Sequence, residues 1–496
     1  MFVPFKRFQR LSKPEFIPFL FSALFFYHCF SFLFFLLPLK TWKLFLPHRG
    51  KLVRIRKIQF LTRTVLTFFL ISYFFFLVSF FSCEKTTAPV NKLQVTLSAE
   101  YVGVTEADLR LQTKNNEANT QYQLFRDDSL ISDGALIQAE TIITDTLLLP
   151  AHHYSYQAFL IKDEKRIAQS QEQQVTTLDT TSHDFQWEVI EFTGIYGSGV
   201  LRDVAIINEN DIWAVGEIYA DSAQPSLPYN AVHWDGQQWE LKRIYVEYRS
   251  QPNLAPLEGV FVLPDGNIIF SSGLPYIPEG DHWKLYHLWD MGIFDQDDGS
   301  VYRIWGTCLQ DLYFVGLKGT IVHYNGSSWQ KLESSTETQI NDIWGTTDFL
   351  SAKQNILAVV SDEYHLGDMR ILSVHPNRVR DTLNWNFDRR VMSVWFMNHG
   401  GIYVCGSGVR VYHHGKWKLL DLTNYFTLRV RGSAANNIFV VGAFGLVLHY
   451  NGYSWHTYPE LILSNGKLLG LAVTDNLVVA VGYTDYRGFI LTGKRF

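Results

Sequence analysis

Cysteine is scarce, with four residues in 496, and that excludes a disulfide-dense scaffold. Methionine is nearly as rare: after Met1 the next is Met291. Charge is thin at 18% Asp, Glu, Lys and Arg, and it is unevenly spread. Residues 1–83 carry 12 Lys/Arg and one acid, Glu15, leaving 31 basic and 47 acidic residues beyond Cys83. A body without cationic surplus cannot neutralise a phosphate backbone, so nucleic acid is not an expected partner. No H-E-x-x-H, G-x-S-x-G or P-loop pattern occurs. Gly197-Ser198-Gly199 and Gly406-Ser407-Gly408 read as turns. No cofactor is expected. The length points to two or three globular units.

What is abundant sits first at the N-terminus. Ile17 to Leu39 is uncharged and long enough to span a bilayer, and Thr64 to Ser82 is a second apolar run. Eight basic residues from Lys40 to Arg63 lie between them. Such a loop prefers the cytoplasm, which leaves everything after Cys83 outside the inner membrane. The second run ends Phe80-Phe81-Ser82-Cys83 and continues as a polar tether, Glu84 to Pro89. This order of basic, apolar and small residues before a cysteine resembles a bacterial lipoprotein signal. The resemblance makes Cys83 the lipid attachment site, although Phe80 stands where such signals usually carry Leu. The other reading makes Cys83 an ordinary residue at the end of a transmembrane helix. Twenty-one of 37 phenylalanines precede Cys83. That skew suggests that residues 1–50 stem from a mis-assigned start, with the true one at a Leu or Val near 52–61.

Residues 92–178 alternate with period two, as in Leu93, Val95, Leu97 and Leu109, Leu111, the pattern of half-buried strands. Leu149-Pro150 followed by Tyr154 and Tyr156 resembles the corner before the sixth strand of a fibronectin type III domain. That resemblance implies a β-sandwich, serving as a spacer or an adhesive module. Its tyrosine would pack its ring and hydrogen-bond upstream backbone. His152 and His153 are adjacent, point to opposite faces of a strand and cannot share a metal.

From residue 184 to 496 the chain repeats itself. One strand reads D/N-I-x-x-V-G, as in Asp211 to Gly216, Asp311 to Gly316 and Asn437 to Gly442. Weaker copies end at Gly273, Ser361, Gly406 and Gly482. A second motif, H-Y-N-G-x-x-W, follows as His323 to Trp329 and His449 to Trp455, with His233 to Trp239 as its Asp variant. Tyr412-His413-His414-Gly415 to Trp417 is one residue short. Asn-Gly supplies a tight hairpin turn, and the Trp opens an outer strand expected to pack on the next unit. The V-G end marks a place where no side chain fits. Each unit is a four-stranded antiparallel sheet of propeller-blade size. This region resembles bacterial kelch-like propeller repeats, though the kelch Gly-Gly pair is mostly absent. The last copy lacks a Trp-bearing outer strand, and Phe185-Gln186-Trp187-Glu188-Val189-Ile190 supplies one. The fold expected is all-β: a sandwich, then a seven-bladed β-propeller closed by its own N-terminal strand.

Chemistry is sparse. His233, His323 and His449 occupy equivalent places in different blades and read as structural. Cys308 and Cys405 fall in different blades and read as free buried thiols. Asp295, Asp297 and Asp298 resemble part of a calcium loop without its full spacing; otherwise no metal site is expected. Trp283, Trp289, Trp385, Tyr276 and Tyr364 lie outside the regular repeat and are the candidate ligand-binding aromatics. The expected function is a monomeric, membrane-anchored binding or scaffold protein. It would be held to lipid at the cell envelope, at the outer membrane or cell surface, and would present a propeller surface to a protein or glycan. The alternative is an extracytoplasmic carbohydrate-active enzyme with acids gathered at the propeller funnel.

Overall fold

A computed structural model describes residues 93–116, 119–192, 198–348, 353–362, 368–383, 385 and 389–495. The chain divides between Pro89 and Val90, and the described residues belong to the second unit. The two apolar runs, Cys83 and Tyr364 lie outside the described residues. Among the described residues no helix is long and apolar enough to cross a membrane.

Two sheets form first. One holds Gln94–Val102, Glu106–Lys114 and Glu140–Thr146. The other orders Ser129–Ala135, Gln121–Arg126, His153–Lys162 and Lys165–Gln169, with Gln173–Thr176 also on His153–Lys162. The alternating apolar residues turn inward, so that Leu109, Leu111, Leu124, Tyr156 and Ala158 share one core. At the corner, Leu149 N donates to the Tyr154 hydroxyl at 2.8 Å.

Among the described residues seven four-stranded antiparallel sheets follow. Their inner strands are Gly199–Asn208, Gly259–Val262, Val301–Cys308, Ile340–Thr347, Val391–Trp395, Thr427–Ala434 and Lys467–Val473. They define blades 1 to 7, and each neighbours the next until blade 7 meets blade 1. Blade 7 takes its outer strand from Gln186–Phe192, paired antiparallel with Arg487–Lys494. The ring is therefore a β-propeller, closed by the strand that precedes blade 1, and no blade edge is left open at the seam.

The V-G ends are tight for a specific reason. A Cβ on Gly216, Gly316, Gly442 or Gly482 would lie 2.0, 2.0, 2.3 or 1.9 Å from an inner-strand carbonyl oxygen. Opposite these glycines the inner strand is bulged, its register shifting at Leu201/Asp203, Val301/Arg303, Thr427/Arg429 and Leu468/Gly470. Blades 4 and 5 shift likewise at Ile340/Asp342 and Val391/Ser393. A bulge leaves one residue unpaired and re-aims it. Here those residues are Arg202, Tyr302, Asn341, Met392, Leu428 and Leu469.

Two details differ from the sequence reading. The Asn-Gly connections are four-residue loops, since Tyr324 pairs with Trp329 and Tyr450 with Trp455. Only the glycines take positive φ, at 88° for Gly326 and 90° for Gly452. The Asn325 side chain instead accepts from Ser327 N and Ser328 N, which makes the turn with its own carbonyl. The outer tryptophans also pack backward. Trp329 meets Tyr286 of blade 2, Trp455 meets Tyr403 of blade 5, and Trp239 meets Phe192 on the closing strand.

Candidate functional site

The six bulge residues converge on one end of the central channel. With Glu258, Arg303, Arg429 and Lys467 they line a cavity of about 430 Å³. Four of its lining residues are cationic (Arg202, Arg303, Arg429 and Lys467), and only Glu258 is acidic. Arg202 reaches Glu217 at 3.1 Å and Glu258 at 3.2 Å. Burial raises the Glu258 carboxyl, against the pull of the Arg202 and Arg303 charges.

Below the mouth lies a buried polar layer. Arg303 forms an ion pair with Asp203, nitrogen to oxygen 2.8 Å. Arg431 grips Asp342 with both ends of its guanidinium, at 2.8 and 2.9 Å. Ser393 Oγ adds a hydrogen bond to Asp342 at 2.5 Å. Burial alone would raise this carboxyl, but the Arg431 charge and these bonds hold it down at about 2. Arg429 is different. It is 6% exposed. Its Nη1 donates to the Leu428 and Met392 carbonyls at 3.0 and 3.3 Å. Its Nε has no hydrogen-bond partner, and among the described residues no carboxylate contacts it. Burial, then the nearby Arg303 charge, lower it to about 10.

The arrangement can attract and hold an anion. It is poorly suited to proton transfer: Asp203, Asp342 and Glu258 each stand against a guanidinium. The mouth lies where the inner strands begin. The sandwich meets the ring at the other ends of those strands, where Tyr101 packs on Gly400 and Val104 on Gly452. Asn436 Nδ2 donates to Asp179 O at 2.9 Å at the same face. The mouth therefore opens on the face that the sandwich leaves free.

The residues singled out from the sequence are spread elsewhere. Tyr276 is fully buried in the strand Pro275–Glu279 of blade 2, so it offers no surface and belongs to the core. Trp283 lies on the outer strand His282–Leu285, packs on Phe270, and donates to Ile268 O at 2.9 Å. Trp289 packs on Phe294 and donates to Asp295 O. Trp385 stands edge-on to Trp417 and donates to Arg389 O. The structure does not bring these rings into one site. Lys331 Nζ lies 3.0 Å from Asp295 and 2.8 Å from Asp298, so an ammonium holds the place read as a partial calcium loop; Asp297 N donates to Asp295 Oδ1 within that loop. Cys405 is buried, but Cys308 is only half-buried, contrary to the expectation for both. The repeat histidines are satisfied: His233 and His323 bond Asp211 and Asp311 at 2.9 Å, and His449 bonds Asn437 at 3.1 Å.

No family model and no curated protein matches the chain. Among solved structures it is similar to the WD40 β-propeller domain of Doa1, at 13% identity over 63% of this chain and 98% of that one, with a TM-score of 0.45. It is also similar to the Pan2 WD40 domain of Neurospora crassa, at 11% identity over 63% and 97%, TM-score 0.43. A quinoprotein alcohol dehydrogenase-like protein of Bacteroides thetaiotaomicron matches at 8% identity over 83% and 97%, TM-score 0.33.

Proposed function

We infer that this protein is a membrane-anchored binding platform of the cell envelope, whose propeller takes an acidic segment of a protein or glycan at the channel mouth. The observation that carries this reading is the excess of cations at that mouth in a body with 31 basic and 47 acidic residues after Cys83. A concave site with an excess of one sign, walled by low dielectric, focuses field and raises the local concentration of its counter-charge. Arg429 supports the same reading, since a buried cation with no carboxylate in contact, answered only by the charges of Asp342 and Asp203 nearby, is costly to hold.

The anchor is Cys83, lipidated after signal cleavage, and the body lies outside the inner membrane. The sandwich is a fibronectin type III-like spacer. Its first strand runs from Gln94 to Val102, and Tyr101 already touches the ring. Seven residues of strand, about 24 Å at some 3.4 Å per residue, thus separate Gln94 from the contact at Tyr101.

The test is binding of a fluorescent hexaglutamate peptide to the full chain in detergent, with hexalysine as the opposite probe. The acidic peptide should bind, and its affinity should fall as salt rises from 50 to 300 mM, while hexalysine should not bind. Equal binding of both, or of neither, would refute the reading.

A further inference from the structure

The hairpin that departs from the repeat does something the other blades do not. In blade 5 His413 pairs directly with Lys416, so the connection is two residues long. Both take positive φ, 48° at His414 and 75° at Gly415, the primed turn that matches strand twist. On an extended strand adjacent side chains diverge. Here the left-handed residue swings its ring back, and His414 Nε2 comes to 2.8 Å from His413 Nε2. Glu106, from the sandwich strand Glu106–Lys114, closes the group. Its two oxygens lie 3.2 Å from His413 Nε2 and 3.8 Å from His414 Nε2.

Protonation decides what such a group can hold. Thr144 Oγ1 donates to Asp108 Oδ1 at 2.6 Å. Its hydrogen is thereby spent, so at 3.3 Å it accepts from His414 Nδ1. The proton of neutral His414 is then on Nδ1, and the Nε2 lone pair faces His413 and Glu106. A metal-ligating imidazole needs this same outer support, its other nitrogen donating to a fixed acceptor. The second close histidine pair shows the contrast. His183 and His449 also approach at 2.8 Å through their Nδ1 atoms. There His449 Nε2 donates to Asn437 Oδ1, and Ser454 Oγ lies 3.2 Å from His183 Nε2. That pair is one satisfied N–H···N bond, with no carboxylate in it. At His413 and His414 a carboxylate faces both nitrogens.

We propose that Glu106, His413 and His414 form a binding site for a divalent cation of the zinc class, joining the sandwich to blade 5. Zinc takes nitrogen and carboxylate oxygen at about 2.0–2.2 Å in a tetrahedron, which sets ligand atoms roughly 3.4 Å apart. Here the two nitrogens lie 2.8 Å apart, one Glu106 oxygen lies 3.2 Å from His413 Nε2 and the other 3.8 Å from His414 Nε2, so the three side chains present their ligand atoms near that spacing. His414 is the exposed member, so the fourth position opens to solvent and takes water. The ion would fix the sandwich against the ring, because its ligands come from both.

The experiment is calorimetric titration of Zn²⁺ into the chelator-treated full chain, alongside Glu106→Gln and His414→Asn. Asparagine tolerates the left-handed turn, so the second variant keeps the hairpin while losing the ligand. The parent should bind one zinc per chain, both variants should bind at least about tenfold more weakly, and zinc should raise the melting temperature of the parent alone. Unchanged metal-free melting of His414→Asn would certify its fold. Failure of the parent to bind zinc, or equal binding by parent and variants, would overturn the site.

Discussion

Arg429 and Asp342 are both buried in the channel, yet their charges have opposite consequences for stability. Asp342 is gripped by Arg431 and held at about 2. Arg429, lowered to about 10, is a cation the folded state disfavours. Removing a partner from a buried pair leaves the other charge stranded, at a cost of about 3–5 kcal/mol. Replacing a buried ion pair with well-packed apolar chains is neutral or stabilising by about 1–4 kcal/mol, and Arg429, with no carboxylate in contact among the described residues, strands no opposite charge when it is replaced. Urea unfolding should therefore show Asp342→Asn destabilised by several kcal/mol and Arg429→Met no less stable than the parent. Equal losses in the two variants would mean that Arg429 has a structural partner after all. These residues were not legible in the sequence. Asp342 stands in blade 4 and Arg429 in blade 6, and the bulges that turn the inner strands toward the channel mouth leave no local mark in composition.

The repeat hairpin is the element in which sequence and structure agree most closely. The Asp or Asn that opens the second strand and the His on the third belong to one device. Tyr313 and Phe439 stack on His323 and His449, with ring centroids 4.2 and 4.3 Å apart, directly across the strand pair. Both motifs were visible because each is local. Their coupling was not, since it depends on register, and the turn was misread because the Asn side chain rather than its backbone makes the bend. His449 carries a consequence for pH. Burial, with smaller contributions from the charges of His183 and Arg495, lowers it from 6.5 to about 3. A base depressed in the fold takes up its proton only in the unfolded chain as pH falls below 6.5. Stability is then lost progressively from about pH 6.5 down to pH 3. The unfolding midpoint of the parent should drop between pH 7 and 5 by more than that of His449→Gln. Parallel pH profiles would contradict this account of the buried imidazole.

At the scale of the whole molecule, ring closure could be read in advance. The last copy lacked a strand that Trp187-Glu188-Val189 resembled, and Gln186–Phe192 pairs where that vacancy lay. The polarity of the ring could not be read, because which face the sandwich covers depends on contacts such as Val104 against Gly452, more than 300 residues apart. That polarity is what leaves a cationic mouth free. On the proposed reading the mouth itself, rather than the general surface, captures an acidic partner. The most direct measurement compares hexaglutamate affinity for the full chain carrying Arg429→Gln with Lys467→Gln against a chain carrying Lys165→Gln with Arg166→Gln on the exposed sandwich strand. Both double variants remove two cations. The mouth variant should bind at least about tenfold more weakly, roughly 1.4 kcal/mol, and the sandwich variant should bind like the parent. Equal affinity in the two would contradict the channel mouth as the binding site.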